Sequence, residues 1–339
     1  MTDRTYLPRS YAEAHRRNPP PNRYGGANTF LGVPHASLSD PATLEGSQAV
    51  ILGAPFDAGT SYRPGARFGP NAIRSTDYIP HSGYRPHLAL RVDPLGELGV
   101  VDAGDVNMQQ LDSEGGLKNL MEACRQVSAA GAIPVVLGGD HTITYATAQG
   151  VAQHHGFGRV SLVHFDAHAD TGDSEGGLWG HGTPMRRLIL SGAIRGDRFL
   201  QIGLRGYWPD PPILEWMADQ RMRWYEMTEV VNRGLDECLT EALERAADDC
   251  DGVFLSVDVD VVDPGMAPGT GTPESGGLTS RQLLDAVRRI GMESNLLGMD
   301  VVEVAPPYDH SDVTALLANR VVLETLSGVT VSRKNSSRE

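Results

Sequence analysis

The sequence predicts an α/β fold, a mostly parallel sheet covered by helices. Three observations carry the prediction. Short apolar, β-branched runs recur along the 339 residues. Segments between several of them place apolar residues at helical 3/4 spacing. Three of the runs end in clusters of Asp and His rather than in ordinary turn residues. Strand, helix, strand is the order that parallel neighbours require, because each parallel pair needs a crossover connection.

Taken in order, residues 1–45 are rich in Pro, Arg, Asn and Gly, hold no sustained period, and read as an irregular N-terminal arm. Strands are then expected at 49–55 (AVILGAP), 133–140 (IPVVLGGD), 159–170 (RVSLVHFDAHAD), 198–205 (RFLQIGLR), 252–260 (GVFLSVDVD) and 296–304 (LLGMDVVEV). Helical stripes lie between them: Leu117, Leu120, Met121, Cys124 and Val127; Leu235, Cys238, Leu239, Ala242, Leu243 and Ala246; Leu283, Leu284, Val287 and Ile290. No linker or composition break divides residues 46–328, which read as a single domain, and the polar residues 329–339 read as a disordered tail.

Bulk composition narrows the function. A net charge of −14 argues against a nucleic-acid partner and suits cationic substrates or bound metal. Cys124, Cys238 and Cys250 form no CxxC, and two of them sit on apolar stripes, so buried thiols in a reducing compartment are expected. No apolar run has the length of a membrane span or the character of a signal peptide, which reads as a cytoplasmic protein with no membrane partner. The glycine-rich pieces lack Walker and dinucleotide spacing and read as tight turns around a pocket mouth.

In open parallel sheets, ligands bind beyond the carboxyl ends of the strands. There the chain offers Asp140 and His141; Asp166, His168 and Asp170; and Asp258, Asp260 and Asp263. On extended strands, residues two apart share a face, so Asp258 aims with Asp260, and Asp166 with His168 and Asp170. Four ionised aspartates (166, 170, 258 and 260) would balance two divalent cations, whereas one ion would leave buried charge uncompensated. Carboxylate and imidazole donors without thiolate suit Mn²⁺, with Ni²⁺ or Co²⁺ possible, better than a structural zinc.

The blocks GGDH, DAHAD and SVDVDVVDPGMAPGTGTPESGG resemble the signature blocks of the ureohydrolases, the arginase and agmatinase family, and the resemblance runs from about Gly53 to Leu326. It implies a three-layer α/β/α sandwich, a dinuclear Mn²⁺ centre, and homo-oligomers, usually trimers or hexamers. By the same resemblance, His141, Asp166, Asp170 and Asp258 hold the first ion. Asp166, His168, Asp258 and Asp260 hold the second, with Asp166 and Asp258 bridging. His181 would carry protons to solvent, Asp170 would relay a proton beside the metals, and Glu303 would pair with a guanidinium through two parallel bonds. Asp140 and Asp263 read as groups that orient ligands or turns. Gly65, Arg67, Gly69 and Pro70 match the family's early G-x-R-x-G-P segment.

Free arginine is a poor candidate substrate, because TGDSEGGLWGHGTP lacks the Asn- and Ser-bearing loop of arginases. The HGTPMRR and GTGTPESGG variants resemble the agmatinase branch, which implies cleavage of agmatine to putrescine and urea. The alternatives are 4-guanidinobutyrate, 3-guanidinopropionate or another guanidine. Asp173, Glu175 and Glu274 are acids available to a distal ammonium; Arg63, Arg186 and Arg205 are cations available to a carboxylate. Trp179, with His181 and Glu303, is expected to contact substrate, and Trp208 and Tyr308 are further candidates for the wall. A single-zinc deacetylase-like amidohydrolase and a catalytically silent scaffold are the rivals from other classes.

Overall fold

All six apolar runs form strands of one sheet in the computed structural model, which describes residues 28–109, 111–173 and 179–336. In chain order the strands are β1 (Ala49–Ala54), β2 (Val101–Asp105), β3 (Ile133–Gly138), β4 (Val160–Phe165), β5 (Ile194–Leu204), β6 (Arg223–Glu226), β7 (Gly252–Asp258) and β8 (Leu296–Val302). They lie in the order β2-β1-β3-β8-β7-β4-β5-β6, and every pair is parallel. The unanticipated strands β2 and β6 are the two edges. An edge strand pairs on one side only and tolerates partial exposure, so VDAGD and RWYE form strands without a continuous apolar run.

The central strands are buried on both faces, and their residues alternate between two cores. Ile51, Val135, Val163 and Leu255 face one, while Val50, Val136, Leu162 and Phe254 face the other. The longer helices are α1 (Ser113–Ala129), α2 (Thr144–His155), α3 (Leu235–Ala247), α4 (Ser280–Glu293) and α5 (Val313–Ser336). Helices α3, α4 and α5 close the first core through Leu239, Leu283 and Leu326, and α1 and α2 close the opposite face through Leu120 and Ala146. The result is the expected three-layer α/β/α sandwich. No helix among the described residues is long and apolar enough to cross a membrane.

Two boundaries differ from expectation. Residues 28–45 are irregular, but Phe30, Leu31, Val33, Ala36 and Leu44 are buried in the two cores, so this stretch is part of the packed body. Residues 1–27 lie outside the described residues. The expected tail at 329–339 is instead helical as far as Ser336, the last described residue. Val329 and Thr330 are buried, and the polar end is fastened by Lys334 to Glu97 and by Arg333 to Gln48. Polarity alone suggested disorder, but these residues continue a helix already packed on its neighbours, which needs no new nucleation.

Candidate active site

Four adjacent strands in the middle of the sheet, β3, β8, β7 and β4, deliver the chemistry. Their register aligns Leu137, Val301, Val257 and Phe165 in one row across the sheet. One residue further along, the chain leaves the sheet at Asp166 and Asp258, and just beyond at His141 and Glu303. Residues far apart in sequence therefore meet because the strands end level with one another.

The convergence does not come from extended strands. β4 stops at Phe165 and β7 at Asp258, so DAHAD is an irregular loop and the chain after Asp258 makes a single 3-10 turn, Val259–Val261. Each carboxylate bends its own loop: the His168 N–H donates to Asp166 Oδ1 at 2.6 Å, and the Asp260 N–H donates to Asp258 Oδ1 at 2.8 Å. Asp260 Oδ1 also accepts from the Ala167 N–H at 3.0 Å, which ties the two loops together. Asp170 (φ 52°) and Glu303 (φ 64°) adopt the left-handed region, uncommon for residues with a side chain and concentrated at functional sites.

Around His141 Nδ1 stand three carboxylate oxygens: Asp166 Oδ2 at 3.0 Å, Asp170 Oδ2 at 3.1 Å and Asp258 Oδ2 at 3.1 Å. One ring nitrogen has at most one proton to give, so hydrogen bonding cannot satisfy all three. A cation among the four donors, at the ordinary metal–ligand distance of about 2.0–2.2 Å, would satisfy them together. Asp166 turns its other oxygen toward His168 Nδ1 (3.5 Å), which also lies 3.0 Å from Asp260 Oδ2. Asp166 thus addresses both halves of the cluster. The donor set fits two divalent ions.

Electrostatics agree with that fit. Burial, then the neighbouring Asp260 and Asp166, holds the Asp258 carboxyl far above its ordinary range, and burial with Asp166 raises Asp260. Burial alone would lower His168, but Asp260 and Asp166 push it up to about 12. Asp166 goes the other way: burial is outweighed by His164 and His141, and its carboxyl is held far below the usual range.

Beneath this cluster lies a layer that the sequence reading missed. His164, Ser256 and Asp300 occupy one register row, two positions before Asp166, Asp258 and Val302, and are fully buried. His164 Nε2 lies 2.8 Å from Asp166 Oδ2, and Ser256 Oγ lies 3.0 Å from His141 Nε2. Asp300 accepts from the Thr144 and Thr147 hydroxyls at 2.9 and 2.6 Å. The available signal was a polar residue at the same offset inside three apolar strands.

Glu303 and His181 meet beside the cluster. Glu303 Oε1 accepts from the His141 N–H at 2.9 Å and lies 2.9 Å from His181 Nδ1, while Oε2 is buried without a partner among the described residues. The expected two-oxygen grip on a guanidinium is therefore reduced to one free oxygen, because Oε1 is already taken twice. Burial would lower the His181 pKa, but the Glu303 carboxylate raises it to about 9. His181 does not cap Thr183, whose hydroxyl donates to the Gly180 carbonyl instead. Asp140 accepts from the Gly59 and Thr142 N–H groups, and Asp263 from those of Gly265 and Gly276, so both hold turns as expected.

A pocket of about 340 Å³ opens beside the cluster, where His168, Asp170, Asp258 and His181 line it together with Gly59, Ser61, Gly180, Trp208 and Thr272. Trp179 is not among the lining residues. Its half-buried ring packs on Tyr145 (5.1 Å) under the Arg187 guanidinium (4.1 Å); Trp208 is the aromatic residue that lines the pocket. Glu175 lies outside the described residues.

A parallel α/β sandwich whose central strand ends gather two imidazoles and four carboxylates defines a class of metal-dependent hydrolase. The arginase family model matches residues 47–328, and the chain belongs to the arginase family. It is 39% identical over 307 residues to proclavaminate amidinohydrolase of Streptomyces clavuligerus, covering 90% of this chain and 93% of that protein. It is 39% identical over 317 residues to the mitochondrial agmatinase of Gallus gallus (92% and 90%) and 38% over 314 residues to the guanidinobutyrase of Pseudomonas aeruginosa (90% and 92%). Among solved structures, the proclavaminate amidinohydrolase superposes with a TM-score of 0.82 at 37% identity, over 92% of this chain and 100% of that one. Trypanosoma cruzi formiminoglutamase with Mn²⁺ superposes with a TM-score of 0.76 at 25% identity, over 84% and 94%.

Proposed function

We propose that the protein hydrolyses a guanidino compound to urea and an amine, with agmatine as substrate and putrescine as the amine product. The observation that carries this reading is the pairing of a two-cation donor set with Glu303 Oε2, a buried carboxylate oxygen left without a partner among the described residues, on the residue whose other oxygen contacts the pocket-lining His181. A planar cationic guanidinium supplies the N–H that this oxygen lacks.

Two divalent cations, Mn²⁺ in the first instance, would be held by His141, Asp166, Asp170 and Asp258 and by Asp166, His168, Asp258 and Asp260; the chemistry they supply when bound is the acidification of water near neutral pH. Glu303 orients the substrate through Oε2 and keeps His181 in place through Oε1. His181 carries a proton between the site and solvent, and Asp170, whose Oδ2 faces the centre, relays one to the leaving amine. His164 and Ser256 hold Asp166 and His141 in position from below.

The lack of an available arginine at the pocket supports agmatine over the guanidino acids, although neither Asp173 nor Glu274 lines the pocket to meet the ammonium. The Arg205 guanidinium donates to the carbonyls of Gly203, Asp260, Val261, Glu274 and Ser275, which occupies it fully. Arg186 lies over the Trp216 ring at 4.3 Å, and Arg63 lies between Tyr62 and Tyr308 at 5.0 and 5.5 Å. None of the three lines the pocket, so among the described residues no arginine waits there for a substrate carboxylate. Trp208 offers an indole face, which attracts an ammonium group. The small pocket, at the low end of the range of roughly 300–1,000 Å³ for small-molecule sites, suits a short aliphatic guanidine.

We further expect a homo-oligomer of trimer or hexamer type in the cytoplasm, where the free thiols of Cys124, Cys238 and Cys250 stay reduced. The deciding experiment is urea release by Mn²⁺-loaded and Ni²⁺-loaded protein from agmatine, arginine, 4-guanidinobutyrate and 3-guanidinopropionate. Agmatine as the best substrate is expected; a guanidino acid in its place would overturn the substrate assignment, and no urea from any guanidine would overturn the reaction.

A further inference from the structure

We infer that Ser61 is a proton-relay residue, its hydroxyl carrying protons between His181 and solvent. The inference rests on the reading of His181 as the proton carrier and extends it to a residue in a loop that sequence pattern marks only as a turn.

His181 has both ring nitrogens engaged. Nδ1 faces Glu303 Oε1 at 2.9 Å. Nε2 meets Ser61 twice, the backbone N–H at 3.1 Å and the hydroxyl oxygen at 2.7 Å. Among the described residues the ring makes no other hydrogen bond. Its side chain is 12% exposed, whereas Ser61 is an exposed residue on the pocket wall. The group that touches Nε2 and also faces water is therefore the Ser61 hydroxyl.

Chemistry separates the two Ser61 contacts. A backbone N–H only donates, so it bonds Nε2 only while that nitrogen is unprotonated; it positions the neutral ring and moves no proton. A hydroxyl both donates and accepts, so it can take the Nε2 proton as it releases its own. In the outward step the Nε2–H bond breaks and a proton joins Ser61 Oγ. The original hydroxyl proton leaves to water, and the serine ends with one proton and no net charge. The inward step reverses this and recharges His181 for the next turnover.

The loop is built to hold the contact. The His181 N–H donates to the Gly59 carbonyl at 3.0 Å, and the Gly59 N–H donates to the buried Asp140 carboxylate at 2.8 Å. A Cβ at Gly59 would come within 2.1 Å of Thr142 Oγ1 and 3.1 Å of the His181 nitrogen, so this approach requires glycine. Asp140 thereby sets the distance between the Ser61 loop and the His181 loop from beneath both.

The test uses full-length, Mn²⁺-loaded protein and steady-state urea release from the best guanidine of the panel. Ser61→Ala is expected to lower kcat about tenfold, part of the range that acid–base groups contribute, with KM within about twofold and full metal content. Ser61→Thr keeps the hydroxyl and recovers most of that loss, and added imidazole speeds the alanine variant. Because relay and carrier act in series, Ser61→Ala combined with His181→Ala should be no slower than His181→Ala alone. Unchanged kcat in Ser61→Ala would overturn the relay, as would a loss confined to KM or metal content, or a double variant in which the two losses multiply. Failure of the hydrolase reading is distinguishable, since it appears as absence of urea from the unaltered protein.

Discussion

Glu303 shows how much a single residue is asked to do. One oxygen is committed to the His141 amide and His181, and the other is buried with no partner among the described residues. Glu303→Gln replaces the charge while keeping the shape, so full metal content is expected together with a fall in kcat/KM of about a hundredfold or more, the scale of removing one partner of a buried charged pair. Asp258→Asn is expected to act differently, losing metal and activity together, because it removes a charge from the ring of oxygens around His141 Nδ1. Elemental analysis alongside urea release separates the two outcomes. Residue types such as these were legible in the sequence because Asp and His at the ends of apolar runs have few structural reasons to be there. The single free oxygen of Glu303 was not legible, since it depends on a backbone amide 162 positions away.

At the level of elements, strands are more readable than the turns that follow them. β3, β4, β7 and β8 announce themselves by β-branched runs, and their level ends follow from register. The turns at Asp166–Asp170 and Asp258–Asp260 depend on side chains bonding their own backbone and on positive φ at Asp170, which no periodicity encodes. The row of His164, Ser256 and Asp300 escaped because a lone polar residue in an apolar strand is ordinary until its neighbours are known. Ser256→Ala removes the partner of His141 Nε2, and metal affinity is expected to fall about 10- to 100-fold while the fold persists. Metal titration against circular dichroism of the same samples checks both halves of that expectation. Helix α5 supplies another element-level test. Deleting 329–339 removes the buried Val329 and the Lys334–Glu97 pair, so thermal unfolding should show a loss of about 2 kcal/mol or more. An unchanged melting temperature would restore the disordered-tail reading.

For the molecule as a whole, the cluster couples metal, pH and stability. Burial, with the neighbouring carboxylates, raises Asp258 and Asp260, and the Asp260 and Asp166 carboxylates raise His168 to about 12, so the metal-free fold holds protons that the unfolded chain releases. Groups raised in this way stabilise the fold below their unfolded pKa and lose that contribution as pH rises through the folded one; Asp166, held low, acts in the opposite sense. Metal must displace those protons, so it binds more tightly as pH rises. Saturating Mn²⁺ is expected to raise the melting temperature more at pH about 8 than at about 5.5, each ion adding about 2.7 kcal/mol at a hundred times its Kd. Calorimetry with and without chelator measures this, and an equal shift at both pH values would show that these carboxylates and His168 are not the ligands.

The row of polar residues inside the sheet has a consequence for how such a protein can diversify. Its metal-facing groups are anchored in strand register and in bonds made from below, while Trp208 and Thr272 reach the pocket from loops above. Loops can be exchanged one at a time without retuning the frame, so a change of taste need not disturb the machinery that cuts.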